Sequence, residues 1–346
     1  MKDFNTFTVY SFKIIIIVDM ITLCIHLRST DPYFNLAAEE YFLKNFQEDF
    51  FMLWRSQPTV VVGKHQNALS EINHEFVRTH QIPVARRLSG GGTVFHDLGN
   101  LNFTFIRNVE KIQEVNFKVF TFPIMEALKT MGIDVYTTGR NDLQIEGKKI
   151  SGNAEHVHRN RVLHHGTLLY NSQLDALKGA LKVDLSRFED KAVQSNRSEV
   201  TNIAPYLPSP MRVEDFGNLL YTEITQRLDN SKAYMLNEND LAAIQKLRDE
   251  KYNTWEWIFG YSPRYSFKNQ FLSPKGEIAI SFHVEKGLLY EVSVSGAISA
   301  ELSHQISKTL LGRMHDLSAV NPSIYALEDL LRAELINSED LIRAMF

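Results

Sequence analysis

The stretch VARRLSGGGTVFHDLGNLNFTF, from Val84 to Phe105, places two arginines, three consecutive glycines and an alternating apolar segment in a row. Glycines leave consecutive backbone N–H groups accessible, and such groups can cradle an anion beside an arginine clamp. A tight turn that requires positive φ is the other interpretation of three glycines. Leu101 and Phe103 alternate with polar residues, which predicts a half-buried strand after the glycines.

Two common phosphate-binding motifs do not fit this stretch. A P-loop requires GxxxxGK[ST] and a dinucleotide-binding fold requires GxGxxG, and each of them opens a helix. Here the glycines lead into TVFH, which is strand-like, and no lysine followed by serine or threonine comes after them. The glycines alone therefore leave the choice between a turn and an anion cradle open.

A second polar block, GRNDLQIEGKKISGNAEHVHRNRVLHHGTLLY, lies in strand-forming sequence. Taken singly, a lysine pair is usually a solvated turn, and a histidine pair is more often surface or hydrogen-bonded core than a metal ligand. Zinc is an alternative, but no carboxylate or cysteine completes a recognisable ligand spacing, so we predict no metal site. The polar residues of this block are Arg140, Asn141, Asp142, Lys148, Lys149, Ser151, His156, His158, His164 and His165.

Length and composition limit the class of protein. A chain of 346 residues is long for one compact core, so two domains are expected. The formal net charge of -4 argues against a broad basic face for nucleic acid. The single cysteine, Cys24, allows no internal disulfide, which suits a reducing compartment.

The N-terminus carries a short apolar run from Ile14 to Val18. Spanning a bilayer takes about 20 apolar residues, so this run predicts neither a membrane span nor, without a small-residue cleavage site, a signal peptide. Residues 1–19 contain no arginine, unlike a mitochondrial presequence. We expect them to be a dispensable extension of a cytoplasmic protein.

Strand-like runs followed by helical runs, without regular alternation, favour an α+β fold with a mixed sheet over a doubly wound parallel one. Asp31 and Pro32 predict a helix start, and the apolar periodicity after them predicts one buried face. Two β-rich runs on either side of Gln57-Pro58 predict a hairpin. Ser70 is the predicted cap of a short helix that ends near His80.

A longer helix is expected from about Glu114 to Met131, with a kink or break at Pro123. Residues 20–250 form the predicted catalytic domain. A second unit is expected from Lys251, where aromatics, glycine and proline interrupt the helical pattern before two strands and two amphipathic helices. Residues 251–346 are therefore the predicted small α+β accessory domain.

Together, these blocks resemble the lipoate-protein ligase family. The resemblance rests on RRLSGGGTVFHDLGNLNFTF, RNDLQIEGKKISGNA, HHGTLL and NRSEVTNI, in the family's order, with STDPYFNLAAEE and LWRSQPTVVVGKHQN as weaker matches. It covers about residues 20–345, and KYNTWEWIFGYSP resembles the start of the accessory domain of two-domain members. One departure is Ala297 and Ile298, where the family commonly has an acidic residue and aromatics.

The resemblance implies a fold and a reaction. The fold is the mixed α+β sheet shared with biotin ligases and related to class II aminoacyl-tRNA synthetases. In the reaction, lipoate and ATP with Mg²⁺ give lipoyl-AMP and pyrophosphate. The lipoyl group then passes to a lysine of a lipoyl domain, in the E2 subunits of 2-oxoacid dehydrogenases or the glycine cleavage H protein. No nucleic acid or membrane partner is implied.

The resemblance also assigns site residues. Arg87 and the backbone of Gly92, Thr93, Val94 and Phe95 would hold the adenylate, and Lys149 would be the essential lysine. Fixed cations and N–H donors suit a carboxylate that attacks a phosphate, because two anions must approach each other. An apolar pocket would take the acyl tail. The residues implied for the lipoate pocket and its surroundings are Trp54, Ser89, Gly90, Gly91, His96, Asp142, Ser151 and His165.

Several alternatives can be compared with the ligase. An octanoyltransferase would need a cysteine nucleophile, and Cys24 lies far from every motif; a biotin ligase would need a GRGR-type loop, which is absent. A lipoyltransferase that uses preformed lipoyl-AMP or lipoyl groups has overlapping motifs. A catalytically silent lipoyl-binding protein would not need Lys149. The basic stretch HVHRNR is a solvated loop or, alternatively, steers an acidic acceptor domain or shields pyrophosphate.

Overall fold

The computed structural model describes residues 21–110, 116–138, 142–181, 184–195 and 198–346. The predicted extension over residues 1–19 lies outside the described residues, as do Arg140 and Asn141. No helix in the described ranges is long and apolar enough to cross a membrane. The strands are β1 (Thr22–His26), β2 (Asp49–Trp54), β3 (Thr59–Val62), β4 (Val84–Arg86), β5 (Val94–His96), β6 (Asn100–Asn108), β7 (Tyr136–Thr138), β8 (Asp142–Ile145), β9 (Lys148–Ser151), β10 (Asn153–His158), β11 (Arg161–Leu169), β12 (Phe188–Asp190), β13 (Ser231–Ala233), β14 (Tyr265–Ser273), β15 (Gly276–Glu285) and β16 (Leu288–Gly296). The helices are α1 (Pro32–Asn45), α2 (Ala68–Glu71), α3 (His74–Thr79), α4 (Phe117–Thr130), α5 (Leu174–Ala180), α6 (Val213–Thr225), α7 (Glu238–Leu247), α8 (Ala300–Leu310), α9 (Leu317–Tyr325), α10 (Glu328–Ala333) and α11 (Ser338–Arg343).

The largest sheet has the strand order β10-β11-β6-β2-β1-β13. Strands β10, β11, β6 and β2 pair antiparallel, whereas β1 pairs parallel with both β2 and β13. This sheet is therefore mixed, and the predicted α+β class is confirmed.

Helices cover both faces of the largest sheet. Phe51 and Leu53 of β2 pack with α4 and α6, while Phe50 and Met52 pack on the opposite face with α1. Strand β6 is buried from Asn100 to Ile106, so the half-buried strand predicted there is wrong. Alternating polar residues such as Thr104 are buried because α1 covers their face and Glu39 accepts the Thr104 hydroxyl hydrogen bond.

A three-stranded sheet, in the order β4-β3-β5, carries the glycine stretch. Strand β3 lies between the strands on either side of that stretch, because β4 pairs parallel with it and β5 pairs antiparallel. The glycines therefore cross the end of β3. The predicted hairpin at Gln57-Pro58 is wrong, because β2 and β3 belong to different sheets and the chain turns from one to the other at the proline.

The second polar block forms a small sheet in the order β7-β8-β9 and the edge strands β10 and β11 of the largest sheet. Strands β8 and β9 join through Glu146 and Gly147, which both have positive φ. This tight connection places Asp142 at the start of β8 on the same hairpin as Lys149 in β9.

Helix α1 begins where predicted, because Asp31 caps it by accepting the N–H groups of Tyr33 and Phe34. Its predicted single buried face is wrong, since Glu39 and Glu40 are buried as well. The predicted Ser70 cap is also wrong. Two short helices replace that helix, and Asn67 and Asn73 cap them. Helix α4 continues through Pro123 without a break.

Strands β14, β15 and β16 form an antiparallel meander, and α8 to α11 pack with it. The sheet has a fourth strand, β12, from residues 188–190. Its core is continuous with side chains of β3 and β4, including Val60 and Val84. We propose Lys251 as the start of the accessory domain, with β12 reaching into its sheet from the preceding part of the chain.

Candidate active site

Two neighbouring cavities lie beside the glycine stretch. The first has a volume of 340 Å³ and the second of 560 Å³. Thr93, Val94, Lys149 and Gly152 line both, so the two cavities meet at the glycine stretch and at β9.

The glycine stretch forms a compact loop around the Arg87 side chain. Gly91 has a φ of +83°, a conformation that residues with a side chain rarely adopt. Arg87 Nη2 donates to the carbonyl oxygens of Gly90 and Gly92, each at 2.7 Å, while Nη1 donates to the Val61 carbonyl at 3.1 Å. Arg87 thus ties the carbonyl oxygens on either side of Gly91 to one guanidinium group, which fixes the course of the loop beside the first cavity.

Arg87 is itself buried, and burial lowers the pKa of its guanidinium to about 10. The group therefore stays charged at neutral pH. Its Nε donates to Ser89 Oγ at 3.0 Å, so four of the five guanidinium N–H donors are used within the protein. Arg87, the predicted clamp residue, therefore organises the glycine loop and also adds positive charge to the wall of the first cavity.

Lys149 extends into both cavities from β9. Its Nζ lies 3.0 Å from Asp142 Oδ1, and the side chain is 24% exposed. Hydrogen bonds fix its backbone on the other side, because Lys149 N donates to Glu199 O at 2.9 Å and Thr201 N donates to Lys149 O at 3.0 Å. The Lys149 ammonium group is held by Asp142, and the Lys149 main chain is held by residues 199 and 201. From this position the ammonium group can bind an anion in either cavity.

A buried chain of polar groups runs behind the first cavity. His165 Nδ1 lies 3.0 Å from both carboxylate oxygens of Glu39, and His165 Nε2 lies 2.6 Å from Ser89 Oγ. Ser89 in turn accepts from Arg87 Nε. Four polar side chains from distant parts of the sequence are therefore hydrogen-bonded in series, and the chain fixes the orientation of Arg87.

Trp54 and His96 lie side by side in the wall of the first cavity. Their rings pack edge to face with centroids 5.6 Å apart, and Trp54 Nε1 donates to Thr104 Oγ1 at 3.2 Å. Burial, and secondarily the charge of Arg87, lowers the pKa of His96 to about 3. A neutral imidazole and an indole make this part of the wall suitable for an apolar group.

The structure brings together all of the predicted site residues. The first cavity is lined by Trp54, Arg87, Gly91, Gly92, Thr93, Val94, His96, Asp142, Lys149 and His165. Phe95 and Ser151 line the second. Ser89 and Gly90 lie behind the walls, where they bind Arg87.

Sequence reasoning missed Glu39, Gln66, Glu71 and Ser195. Glu39 carries the buried polar chain. Gln66 and Ser195 contact Thr93 at the end of the glycine loop, and Glu71 accepts a hydrogen bond from Ser195. Glu39 could have been found from the sequence, because residues 39 and 40 are both acidic within the apolar pattern of α1. No local pattern pointed to the others, because their partners lie far away in the sequence.

Metal and thiol chemistry would depend on the histidine, carboxylate and cysteine side chains of the described residues. Within the described residues, no group of three or more histidine, cysteine, aspartate or glutamate side chains could hold a metal ion. Cys24 is buried in β1 and lines neither cavity, and burial raises the pKa of its thiol to about 12. A thiolate nucleophile at this position is therefore unfavourable.

Comparisons with known sequences find relatives that match most of the chain. Residues 31–225 match the lipoyl protein ligase A/B catalytic domain. Lipoate–protein ligase 1 of Staphylococcus aureus is 37% identical over 319 residues, which are 91% of this chain and 97% of that protein. The lipoate-protein ligase of Bacillus subtilis is 37% identical over 296 residues, 84% of this chain and 89% of the relative.

Solved structures share the fold. A bi-partite lipoate protein ligase from Thermoplasma acidophilum, studied with its E2 lipoyl domain, superposes with a TM-score of 0.60 at 24% identity over 70% of this chain and 96% of that chain. LipL1 of P. falciparum in complex with lipoate superposes with a TM-score of 0.59 at 23% identity over 93% of this chain and 99% of its own. At these identities the likeness concerns the fold alone.

Proposed function

This chain belongs to the lipoate–protein ligase family, and from that membership we propose that it activates lipoate with ATP and transfers the lipoyl group to a lysine of a lipoyl domain. In the first step a lipoate carboxylate oxygen attacks the α-phosphorus of ATP, and pyrophosphate leaves. In the second step the acceptor amine attacks the acyl carbon, loses a proton and displaces AMP, so that an amide forms.

One observation carries this proposal: Lys149 and the glycine loop face the two cavities at the place where they meet. The attack brings a carboxylate and a triphosphate together, so positive charge and N–H donors must already be in position. Lys149 supplies a compact point charge, and Arg87 holds the loop whose N–H groups complete the site. The neighbouring Asp142 keeps the ammonium group in the cavity.

The two cavities suit the two substrates. We assign lipoate to the 340 Å³ cavity, with its ring toward Trp54 and its carboxylate toward Lys149. The nucleoside goes to the 560 Å³ cavity, whose wall includes Leu174, Leu177 and Leu185. In this arrangement the reacting carboxylate and phosphate both reach the shared region next to Thr93.

Magnesium fits the site as a companion of ATP. Mg²⁺ in nucleotide sites is commonly held by one or two carboxylates together with the substrate phosphates, and Asp142 is a carboxylate that lines the first cavity. When bound there, the ion would spread the charge of the triphosphate. Asp142 would then hold the ion and would also stay next to Lys149.

The acceptors we propose are the lipoyl domains of 2-oxoacid dehydrogenase E2 subunits and the glycine cleavage H protein. Support comes from family membership and from the openness of the site around Lys149, whose side chain is 24% exposed. A cytoplasmic location, expected from the N-terminal composition and from the single cysteine, stays a prediction.

Isotope exchange tests the first step directly. The purified protein with lipoate and Mg²⁺ should exchange labelled pyrophosphate into ATP without an acceptor, because adenylation is reversible. Arg87→Ala should suppress the exchange, and an added lipoyl domain should gain the mass of one lipoyl group. Modification of the domain only from synthetic lipoyl-AMP, without exchange, would show a transferase. Tight binding of lipoyl-AMP without either reaction would show a silent binding protein.

A further inference from the structure

A protein hydroxyl already occupies the glycine cradle, by which we mean the loop of residues 90–93 and its backbone N–H groups. Ser195 Oγ accepts a hydrogen bond from the backbone N–H of Thr93 at 2.8 Å. That N–H belongs to the loop that family resemblance assigns to the adenylate, so Ser195 sits where a phosphate oxygen would bind.

Ser195 is fully engaged in this position. Its Oγ also accepts from Gln66 Nε2 at 3.1 Å and donates to Glu71 Oε2, while its backbone N–H donates to Glu71 Oε1 at 3.2 Å. A hydroxyl has one donor and two acceptor lone pairs, and all three are used. A phosphate oxygen can therefore take the Thr93 N–H only if Ser195 gives up a hydrogen bond.

Gly92 shows how closely Ser195 packs on the cradle. A Cβ added at Gly92 would lie 3.0 Å from Ser195 Oγ and 3.1 Å from Ser195 Cα. Real Cβ atoms are rarely this close to another heavy atom, so the missing side chain of Gly92 makes room for Ser195 as well as for a ligand. The contact is a built feature of the loop.

Glu71 places a negative charge behind Ser195. Its side chain, at the end of α2, is only 8% exposed. Burial raises the pKa of Glu71, and hydrogen bonds from Ser195 and Thr93 offset only part of that rise. Two charged side chains interact electrostatically with Glu71. Asp190 repels its negative charge, and Arg87 attracts it. Only the Ser195 hydroxyl lies between the Thr93 N–H and this carboxylate. A phosphate bound to that N–H would therefore be close to Glu71, and the two anions would repel each other.

We propose that Glu71 and Ser195 together set the nucleotide affinity of the cradle. Glu71 holds Ser195 on the Thr93 N–H as a built-in competitor, and nucleotide phosphate binds by displacing it. The inference rests on the proposed function and adds to it residues that oppose binding. Its consequence is a weakened ATP affinity, which favours release of AMP after transfer.

Calorimetric titration of ATP into the full chain, without lipoate and in the presence of EDTA, tests this role. Glu71→Gln keeps the shape and removes the charge, so we expect ATP to bind about tenfold more tightly, the effect of roughly 1.4 kcal/mol. Ser195→Ala removes the competitor but leaves the carboxylate, and we expect about a threefold gain. Glu75→Gln makes the same charge change on the exposed side of α3 and should bind like the parent protein.

Several results would overturn the proposal. Equal ATP affinity in the parent, Glu71→Gln and Ser195→Ala proteins, with unchanged melting temperatures, would remove the competitor role. A repeat with Mg²⁺ in which Glu71→Gln loses affinity would assign Glu71 to the metal instead. If Glu71→Gln does not fold, Ser195→Ala decides alone. Failure of every protein, including the parent, to bind ATP would contradict the proposed function itself.

Discussion

At the scale of single residues, two adjacent lysines provide a natural comparison. Lys149 points into the cavities and contacts Asp142, whereas the Lys148 side chain is 45% exposed and lies 3.5 Å from Glu199. Adjacent residues on a strand point to opposite faces, so the same charge is presented to substrate in one case and to solvent in the other.

Replacing Lys149 by alanine should lower the rate of adenylate formation by about a hundredfold or more, comparable to the loss of one preorganised donor to a developing charge. Lys148→Ala should leave the rate within about twofold, since a solvent-exposed pair contributes little. Single-turnover formation of lipoyl-AMP measures both. Equal losses in the two variants would contradict the assignment of Lys149.

The residues of the site differ in whether the sequence could predict them. Lys149, Arg87 and the glycines stand in contiguous motifs, so local pattern located them. Glu71 and Ser195 are 124 positions apart, and each is ordinary in its own surroundings. Their pairing depends on how α2 and the segment after β12 meet, which no local pattern encodes.

At the scale of elements, Arg86 connects three parts of the chain. It is fully buried, and its five N–H donors, some of them shared, make seven hydrogen-bond contacts, six with backbone carbonyls and one with Ser262 Oγ. Carbonyls of residues 63–66 lie on one side, and those of Trp257 and Ile258 lie on the other. Carbonyl dipoles, the Ser262 hydroxyl and the ring of Tyr261, whose centroid lies 5.9 Å from Arg86 Cζ, stabilise this charge. No carboxylate among the described residues forms an ion pair with Arg86.

Arg86→Lys should therefore destabilise the protein by about 3 kcal/mol, because one ammonium group cannot reach acceptors on both sides and buried carbonyls lose their donors. Urea unfolding followed by tryptophan fluorescence measures the change in the free energy of unfolding. Arg264→Lys, in the exposed turn before β14, is the matched control and should change it by less than about 0.5 kcal/mol. A loss below about 1 kcal/mol in Arg86→Lys would contradict this role.

Elements also differ in how well sequence predicts them. The Asp31-Pro32 start of α1 and the strand after the glycines follow from local chemistry. The Gln57-Pro58 turn does not, because two nearly continuous apolar runs such as β2 and β3 fit a hairpin and two separate sheets equally well. Only the tertiary pairing of β3 with β4 and β5 decides between them.

At the scale of the whole molecule, buried neutral histidines link stability to pH. Burial lowers the pKa of His96 to about 3 and that of His315 to about 4. His26 and His74 are shifted to about 4 for the same reason. In the unfolded chain each would titrate near its ordinary value of about 6.5.

Below pH 6.5 the unfolded state therefore binds protons that the folded state does not, and stability falls as the pH falls. For the fully buried His96 and His315 the loss between pH 6.5 and pH 5 is about 2 kcal/mol each. The melting temperature should drop clearly between pH 7 and pH 5, and His315→Gln should reduce that drop. An equal or higher melting temperature at pH 5 would contradict the prediction.

A short segment after strand β12 connects the sheet of the proposed accessory domain to the glycine cradle. Strand β12 ends at Asp190 within that sheet, and Ser195 follows five positions later on the glycine cradle. Five residues span at most about 17 Å when fully extended. As long as β12 stays paired with β14, this tether limits how far the sheet can travel before tension reaches Ser195. Displacement of the sheet beyond that length would pull the competing hydroxyl off the cradle, so movement of the C-terminal part would act on nucleotide binding through covalent chain length as well as through surface contacts.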